Sequence, residues 1–89
     1  MMFVILCYDV EQKRLSRMRK TAKKYLFPAQ RSVFEGNLTE YALGRLQEEI
    51  AAIVDPGRDA VTIYCCNNAS QMYKRQLGLS GGTDDSSFL

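Results

Sequence analysis

Histidine is absent from this chain of 89 residues. Without an imidazole there can be no Ser-His-Asp triad, no Cys-His dyad and no histidine ligand for zinc. Any catalysis must therefore rest on carboxylates, cysteine, lysine, tyrosine or a metal ion held by oxygen atoms.

Long apolar runs are also missing. The longest extends from Met1 to Tyr8, whereas crossing a bilayer takes about 20 residues, and it lacks the basic start of a signal peptide. The three cysteines, Cys7, Cys65 and Cys66, are odd in number and lack the spacing of a disulfide framework. Such cysteines suit a reducing compartment, so we expect a cytoplasmic protein with no membrane partner.

The length of the chain allows one domain with a small core. A chain this short hides only about 60% of its unfolded surface on folding, so a dimer would add stability. The composition, 46% hydrophobic and 25% charged, is typical of a globular protein. We expect residues 1–78 to form the domain and residues 79–89, rich in Gly, Ser and Asp, to form a disordered tail.

Two predicted helices alternate with strands. Residues 2–8 are continuously apolar, which is typical of a central strand, and residues 13–26 switch to helical period. The core stripe predicted for this first helix consists of Leu15, Met18, Ala22, Tyr25 and Leu26. Thr39 is a good N-cap for a second helix.

The remaining segments are extended. Residues 29–38 form either one bent strand or a short hairpin, with turn chemistry near Gly36-Asn37. Residues 59–66 form another strand, and Met72–Leu77 form a weaker one. The order β-α-(β or ββ)-α-β plus one strand predicts a ferredoxin-like α+β sandwich with both helices on one face. The preference for right-handed crossovers predicts that the strands at 2–8 and about 32–38 are parallel neighbours.

Asp9 is the first candidate for chemistry. It is the acidic residue that ends the first strand, directly after Tyr8, and the end of a central strand is held rigidly. One interpretation is a metal-binding carboxylate. The alternative is a capping or turn aspartate before the first helix.

Positive charge is concentrated in the segment that follows. From Gln12 to Phe34 there is no acidic residue, yet eight of the 12 lysines and arginines lie there. A helix aligns several of them along a line about 16 Å long, a scale compatible with nucleic-acid phosphates. The candidate nucleic-acid contacts are Lys13, Arg14, Arg17, Lys20, Lys24 and Arg31. The alternative is a solvated helix face, although the lack of interleaved glutamate weakens it.

Several of these segments together resemble a known family. Tyr8-Asp9-Val10 closes the apolar strand, Gln30-Arg31-Ser32-Val33-Phe34-Glu35-Gly36 follows the basic helix, and Asp59-Ala60-Val61-Thr62-Ile63-Tyr64 begins the later strand. In this order, from Phe3 to about Gly78, they resemble the Cas2 family of CRISPR-associated adaptation nucleases. The chain departs from many members at Phe27-Pro28-Ala29, where a basic residue is common, and Pro28 alters the start of the second strand.

The resemblance implies a ferredoxin-like homodimer whose final strand, here Met72–Leu77, pairs with the partner's sheet. It implies a Mg²⁺-dependent endonuclease acting on RNA or DNA, with Asp9 as metal ligand and catalytic residue. It also implies a subunit that binds duplex and bridges dimers of the CRISPR integrase. We expect one Mg²⁺ ion shared by the two Asp9 side chains of the dimer, with Tyr8 and Phe34 as possible walls of the site.

Other functions use similar residues. A non-catalytic architectural subunit would bind duplex and integrase through the same basic face. A toxin ribonuclease of the VapD kind shares the general fold. An RNA-recognition-motif domain is disfavoured, because the Lys/Arg-Gly-Phe-Gly-Phe pattern expected on its third strand is absent.

Overall fold

The sheet and helices follow the predicted order. The computed structural model describes residues 1–68 and 71–78, and it has the α+β, ferredoxin-like arrangement βαββαβ with an additional C-terminal strand. The elements are β1 (Met2–Asp9), α1 (Gln12–Tyr25), β2 (Phe27–Gln30), β3 (Val33–Leu38), α2 (Glu40–Ala51), β4 (Ala60–Asn68) and β5 (Gln71–Gly78). The predicted tail, residues 79–89, lies outside the described residues, and the domain boundary at residue 78 stays a prediction.

The strands form one sheet in the order β2-β3-β1-β4-β5. β3 is the neighbour of β1, as expected, but the two are antiparallel, so the predicted parallel pairing is wrong. The crossover through α1 leads first to β2, two places away from β1, and the chain then turns back through β3. The parallel crossover to which the right-handed preference applies therefore relates β1 to β2 and not to β3.

The segment after α1 is a hairpin, which settles the choice between a bent strand and two strands. Arg31 and Ser32 connect β2 to β3, so the turn expected at Gly36-Asn37 is wrong. Gly36 lies within β3, where an added Cβ would come within 3.1 Å of the Leu26 side chain. The lack of a side chain at Gly36 therefore lets β3 lie close to the end of α1. Pro28 is accommodated because β2 is an edge strand, where a missing N–H is tolerated.

β5 pairs with β4 of its own chain, from Ala60 opposite Gly78 to Asn68 opposite Gln71. Within the chain β5 therefore forms a hairpin with β4, and the expected pairing of Met72–Leu77 with a partner's sheet stays a prediction. Only two residues separate the strands, a length that is common in β-hairpins. The outer edge of β5 is left for any partner strand.

The core lies between the sheet and the two helices. Alternate residues of β1 face it, and they form one buried cluster with residues from both helices. The cluster includes Met2, Val4, Leu6, Tyr8, Met18, Ala22, Phe34, Leu43, Leu46, Ile50, Val61, Ile63 and Cys65. The other β1 side chains, Phe3, Ile5, Cys7 and Asp9, point to the opposite face of the sheet. Both helices cover the first face, so within the described residues this second face is open.

α2 is capped as the sequence predicts. The Thr39 hydroxyl accepts a hydrogen bond from the backbone N–H of Ala42 at 3.1 Å, which satisfies one of the free donors in the first turn. Leu43, Leu46 and Ile50 are fully buried. Of the neighbouring cysteines in β4, Cys65 is buried and Cys66 is half-buried, and neither takes part in a disulfide.

α1 is rotated about its axis relative to the predicted stripe. Met18 and Ala22 are buried, but Leu15 is 40% exposed, so its assignment to the core is wrong. Arg14 and Thr21 occupy the inward side of the helix instead, and Thr21 is buried. The cause is a long-range ion pair between Arg14 and Asp59, which turns that flank of the helix inward.

Asp59 is a fully buried carboxylate placed directly before β4. Its oxygens accept bonds from Arg14 Nε at 2.6 Å and Nη2 at 2.9 Å. They also accept bonds from the backbone N–H groups of Glu11 at 3.0 Å and Asp55 at 2.8 Å. The Arg14 hydrogen bonds and these two N–H groups hold the pKa of Asp59 far below its usual range. This cluster joins the start of α1 to the loop before β4.

No helix within the described part of the chain is long and apolar enough to cross a membrane.

Replacing Asp59 with alanine should lower the free energy of unfolding at neutral pH by about 3 kcal/mol, because Arg14 would lose its buried counter-ion. The folded-state pKa of Asp59 is lowered. Its contribution is therefore present above the unfolded aspartate pKa of about 4 and is lost as the pH falls toward the folded value. Urea unfolding of the wild type and of Asp59→Ala should show a difference in the free energy of unfolding that becomes smaller in acid.

The exposed aspartate at the end of β1 provides the control. Asp9→Ala should leave the free energy of unfolding almost unchanged at neutral pH. Equal losses of unfolding free energy in Asp59→Ala and Asp9→Ala would contradict the role given to Asp59. A difference between the wild type and Asp59→Ala that does not depend on pH would contradict it as well.

Candidate metal and nucleic-acid site

Asp9 ends β1 with its side chain exposed on the open face of the sheet. It lies opposite Ala60 in the pairing of β1 with β4. Within the described residues its carboxylate has no hydrogen bond or ion pair. Two residues later, the backbone of Glu11 is fixed to Asp59. The chain therefore holds an exposed carboxylate on a rigid support.

A groove of about 380 Å³ opens beside Asp9. It is lined by Tyr8, Asp9, Val10, Leu15, Arg19, Arg31 and Ser32. The backbone N–H of Tyr8 donates to the carbonyl oxygen of Ser32 at 3.2 Å, which ties the hairpin turn to the end of β1. The groove therefore joins three parts of the chain that are distant in sequence: the end of β1, the first half of α1 and the β2–β3 turn.

Arg19 is the site residue that sequence reasoning missed. Its guanidinium carbon lies 5.7 Å from the centre of the Phe34 ring, a cation–π distance, and Nη1 donates to the carbonyl oxygen of Arg31 at 3.4 Å. Arg19 follows Leu15 by one helical turn, so the assignment of Leu15 to the core concealed it. The exposed Leu15 and Arg19 share the flank of α1 that faces the groove.

Phe34 and Tyr8 lie beneath this arginine. Phe34 is fully buried, and its ring stacks on that of Tyr8 with centroids 6.1 Å apart and planes inclined by 22°. Tyr8 lines the groove, as expected for a site wall, whereas Phe34 supports Arg19 from the core and does not line it.

Neither Tyr8 nor Cys7 is activated as a nucleophile. Burial raises the pKa of the Tyr8 hydroxyl, and the charge of Arg19 and a hydrogen bond from it oppose this rise. Burial also raises the pKa of the Cys7 thiol. Both groups are protonated at neutral pH, so the thiolate chemistry of reactive cysteines is not favoured here.

The predicted cationic contacts fall into three groups. Lys13, Arg17 and Lys20 are exposed on α1, and within the described residues they have no ion pair. Lys24 is paired with Glu49 of α2. Arg14, with a side chain only 12% exposed, is engaged by Asp59 and Glu11 and is not brought together with the others.

Arg31 belongs to the Asp9 groove and is exposed. It lies in the turn between β2 and β3, so it reaches the groove from a different element than Arg19 of α1. The structure therefore separates one predicted basic surface into two parts, one on α1 and one beside Asp9.

The metal-ligating side chains that one chain offers at this site suit an ion that is weakly held and keeps most of its water. The described residues contain no group of three or more His, Cys, Asp or Glu side chains able to hold a metal, so Asp9 stands as a single carboxylate. Mg²⁺ keeps several waters and is commonly bound by one or two carboxylates together with substrate phosphates. The exposed Asp9 beside two arginines fits that pattern.

Comparison with known proteins decides the family. The model of the CRISPR-associated protein Cas2 matches residues 2–73. The chain belongs to the Cas2 family. It is 37% identical over 78 residues to the "CRISPR-associated endoribonuclease Cas2" of Dictyoglomus turgidum, covering 88% of this chain and 90% of the relative. It is 35% identical over 83 residues to the protein of the same name from Thermotoga maritima, covering 93% of this chain and 95% of that relative.

Solved structures share the fold of this Cas2-family chain. A crystal structure of Cas2 superposes with a TM-score of 0.73 at 34% identity and covers 94% of each chain. Streptococcus pyogenes Cas2 at pH 6.5 gives a TM-score of 0.65 at 28% identity, covering 70% of this chain and 82% of that one. The predicted family and ferredoxin-like fold are therefore confirmed.

Replacing Arg19 with glutamine should raise the pKa of Tyr8 further, because the charge and hydrogen bond of Arg19 both lower it. The pKa can be followed by NMR of ¹³C-labelled tyrosine. The matched control is Arg17→Gln, two residues earlier and outside the Asp9 groove. An unchanged or lower Tyr8 pKa in the Arg19 variant would contradict the placement of this guanidinium.

Proposed function

We propose that this Cas2-family protein is an endoribonuclease that hydrolyses phosphodiester bonds in the Asp9 groove. The observation that carries the proposal is the exposed Asp9 carboxylate, unpartnered within the described residues, in one groove with Arg19 and Arg31. A carboxylate attracts a metal ion and the arginines attract phosphate, so the groove holds both charges that phosphodiester hydrolysis requires. The names of the relatives support RNA as the substrate.

The arginines bind and orient the substrate in this proposal. Arg31 and Arg19 line the groove from different elements, and each guanidinium can donate two parallel hydrogen bonds to phosphate. The Phe34 ring beneath Arg19 limits its motion. Tyr8, protonated at neutral pH, offers a donor at the floor of the groove.

Asp9 would hold Mg²⁺. When bound, this ion supplies Lewis-acid chemistry that lowers the pKa of water and offsets charge developing on the phosphate. The chain itself contributes an exposed carboxylate on a fixed strand end and two cations that hold the phosphate next to it.

A homodimer through the open face of the sheet would bring two such carboxylates together. Phe3 is 36% exposed, Ile5 and Cys7 are half-buried, and all three share this face with Asp9. Covering that apolar face with a second copy removes it from water. A two-fold axis near the end of β1 would let both Asp9 side chains share one ion.

The exposed cations of α1 extend the proposed interface. Lys13, Arg17 and Lys20 follow one side of the helix and would contact phosphates of RNA or duplex DNA. We propose that this surface also serves duplex binding in the assembly with the CRISPR integrase, in the cytoplasm. Arg14 is excluded from the interface because it is ion-paired with Asp59. Lys24 is ion-paired with Glu49.

A non-catalytic architectural subunit is the second candidate. The observation that favours it is the single carboxylate, since the described residues of one chain offer no cluster of three metal-ligating side chains. It would use the same basic surface of α1 and would need neither Mg²⁺ nor Asp9.

Asp9→Asn should slow cleavage of RNA in Mg²⁺ by at least about 100-fold, because the metal contributes several kcal/mol to the transition state. Cleavage of RNA and duplex DNA is measured in parallel over a Mg²⁺ series. The matched control is Glu35→Gln, an exposed carboxylate on the same open face, which should cleave like the wild type. Cleavage by Asp9→Asn at the wild-type rate would contradict the nuclease proposal.

Changing Lys13, Arg17 and Lys20 together to alanine should flatten the salt dependence of duplex binding. Each phosphate contact contributes about 0.9 to the slope of log affinity against log salt, so we expect a decrease of about 2 to 3. Fluorescence anisotropy over a salt series measures it. Arg45→Ala, an exposed arginine on α2, should leave the slope unchanged, and an unchanged slope in the triple variant would remove α1 from the interface.

A further inference from the structure

A second groove lies between the two helices, and it shares no lining residue with the Asp9 groove. Its volume is about 600 Å³, within the range of about 300–1,000 Å³ that is typical of small-ligand sites. α1 contributes Arg17, Lys20 and Thr21 to the lining, and the end of α2 contributes Ala52 and Ile53. The lining from α1 is therefore basic, and the lining from the end of α2 is apolar. We call this space the helix groove.

Two cations in the helix groove have no acidic partner. Arg17 and Lys20 are exposed on α1, and within the described part of the chain neither takes part in an ion pair. Lys24 also lines the groove, but it is paired with Glu49 of α2. Hydrogen bonds from Lys24 and Tyr25 lower the pKa of Glu49, so this carboxylate is charged at neutral pH and retains Lys24. An anion that enters the groove is therefore attracted to Arg17 and Lys20.

Thr21 adds a hydroxyl donor beside these cations. Only 8% of the surface of Thr21 is exposed, and this residue lines the helix groove. Among the residues that the structure describes, none is hydrogen-bonded to its side chain. The same residues contain no fully buried side-chain polar atom without a partner, so the Thr21 hydroxyl is open to the groove. It can therefore donate to a group that binds there.

The donors on α1 suit a phosphate monoester. Arg17, Lys20 and Thr21 lie within about 6 Å along the helix axis, and the spacing of three and four residues places them on one face. A phosphate monoester carries a charge of about −1.5 to −2 at pH 7 and has three strong acceptor oxygens. It can accept from the guanidinium, the ammonium and the hydroxyl together. One carboxylate has a single charge and two oxygens, so it matches fewer of these donors.

The lining from α2 suits the rest of such a ligand. Ala52 and Ile53 offer apolar surface. Glu49 is an acceptor, and α2 ends at Ala51, where the partial negative charge of a helix C-terminus disfavours a second anion. The group attached to the phosphate should therefore be largely apolar and carry hydroxyl or amino donors. A nucleoside combines these properties.

We propose that the helix groove binds a nucleoside monophosphate, with the phosphate on Arg17, Lys20 and Thr21 and the nucleoside against Ala52 and Ile53. This binding uses neither Asp9 nor Mg²⁺, so it does not rest on the proposed nuclease function. It occupies two of the cations assigned above to nucleic-acid binding. A bound nucleotide therefore competes with duplex for α1.

NMR of the ¹⁵N-labelled full chain tests the proposal in the absence of nucleic acid and Mg²⁺. Adenosine 5′-monophosphate is the probe. It should shift the amide signals of the residues that line the helix groove in a saturable way and leave those of the Asp9 groove in place. Inorganic phosphate and adenosine each lack one half of the probe, so both should bind at least about tenfold more weakly.

Variants of α1 test the phosphate contacts. Arg17→Gln with Lys20→Gln should weaken binding of adenosine 5′-monophosphate at least about tenfold, because two charge-assisted hydrogen bonds are lost. The matched control is Lys13→Gln with Lys23→Gln, which removes the same charge from exposed residues outside the groove and should bind like the wild type.

A second pair of variants tests the hydroxyl. Thr21→Val removes the hydroxyl at nearly constant volume and should weaken binding about tenfold, the scale of a hydrogen bond to a charged group. Thr21→Ser keeps the hydroxyl and should retain most of the affinity. Equal affinities in the valine and serine variants would contradict the role of Thr21.

Several results would overturn the proposal. Equal affinities for inorganic phosphate and adenosine 5′-monophosphate would show simple attraction of anions. Equal weakening in the groove pair and in the control pair would show an effect of net charge alone. A single-stranded oligonucleotide without a terminal phosphate that shifts the same amides as strongly would assign the groove to the nucleic-acid interface instead. A titration without shifts at the helix groove would also overturn it.

Discussion

The buried carboxylate of Asp59 holds together the end of the molecule that carries the candidate site. It accepts two bonds from Arg14 and one each from the backbone N–H groups of Glu11 and Asp55. A charge removed from water in this way is stable only when its partners are complete. The ion pair therefore fixes both the start of α1 and the rotation of the helix. That rotation turns Arg19 toward the groove beside the end of β1.

The geometry assigns different tasks to the two faces of the sheet. One face and both helices enclose the apolar core, which gives a chain of this size most of its stability. The other face carries Phe3, Ile5 and Cys7 and ends at Asp9. A partner that covers this face would therefore also reach the carboxylate. Stability from dimerisation and completion of a metal site would then arise from the same contact.

The sequence was informative where the determinants are local. Thr39 can be recognised as a helix N-cap from the local sequence alone, and the continuous apolar run of β1 indicates a central strand. Helical periodicity alone places Leu15 in the core, because it does not fix how a helix is rotated when a buried ion pair competes with an apolar stripe. The sequence around Gly36 matches a turn, because the role of this glycine within β3, a close approach to Leu26, depends on tertiary contacts. The pairing of Arg14 with Asp59 joins residues 45 positions apart, and residue type and spacing do not indicate it.

The central proposal is that Asp9, at the end of the open sheet face, is a metal-binding carboxylate that two copies of the chain share. Crystals of the protein grown with Mn²⁺ in place of Mg²⁺ test it through anomalous scattering. The account predicts one anomalous peak within bonding distance of both Asp9 carboxylates, on the two-fold axis of a dimer. Peaks only at other residues, or a dimer that keeps the two Asp9 side chains far apart, would contradict it.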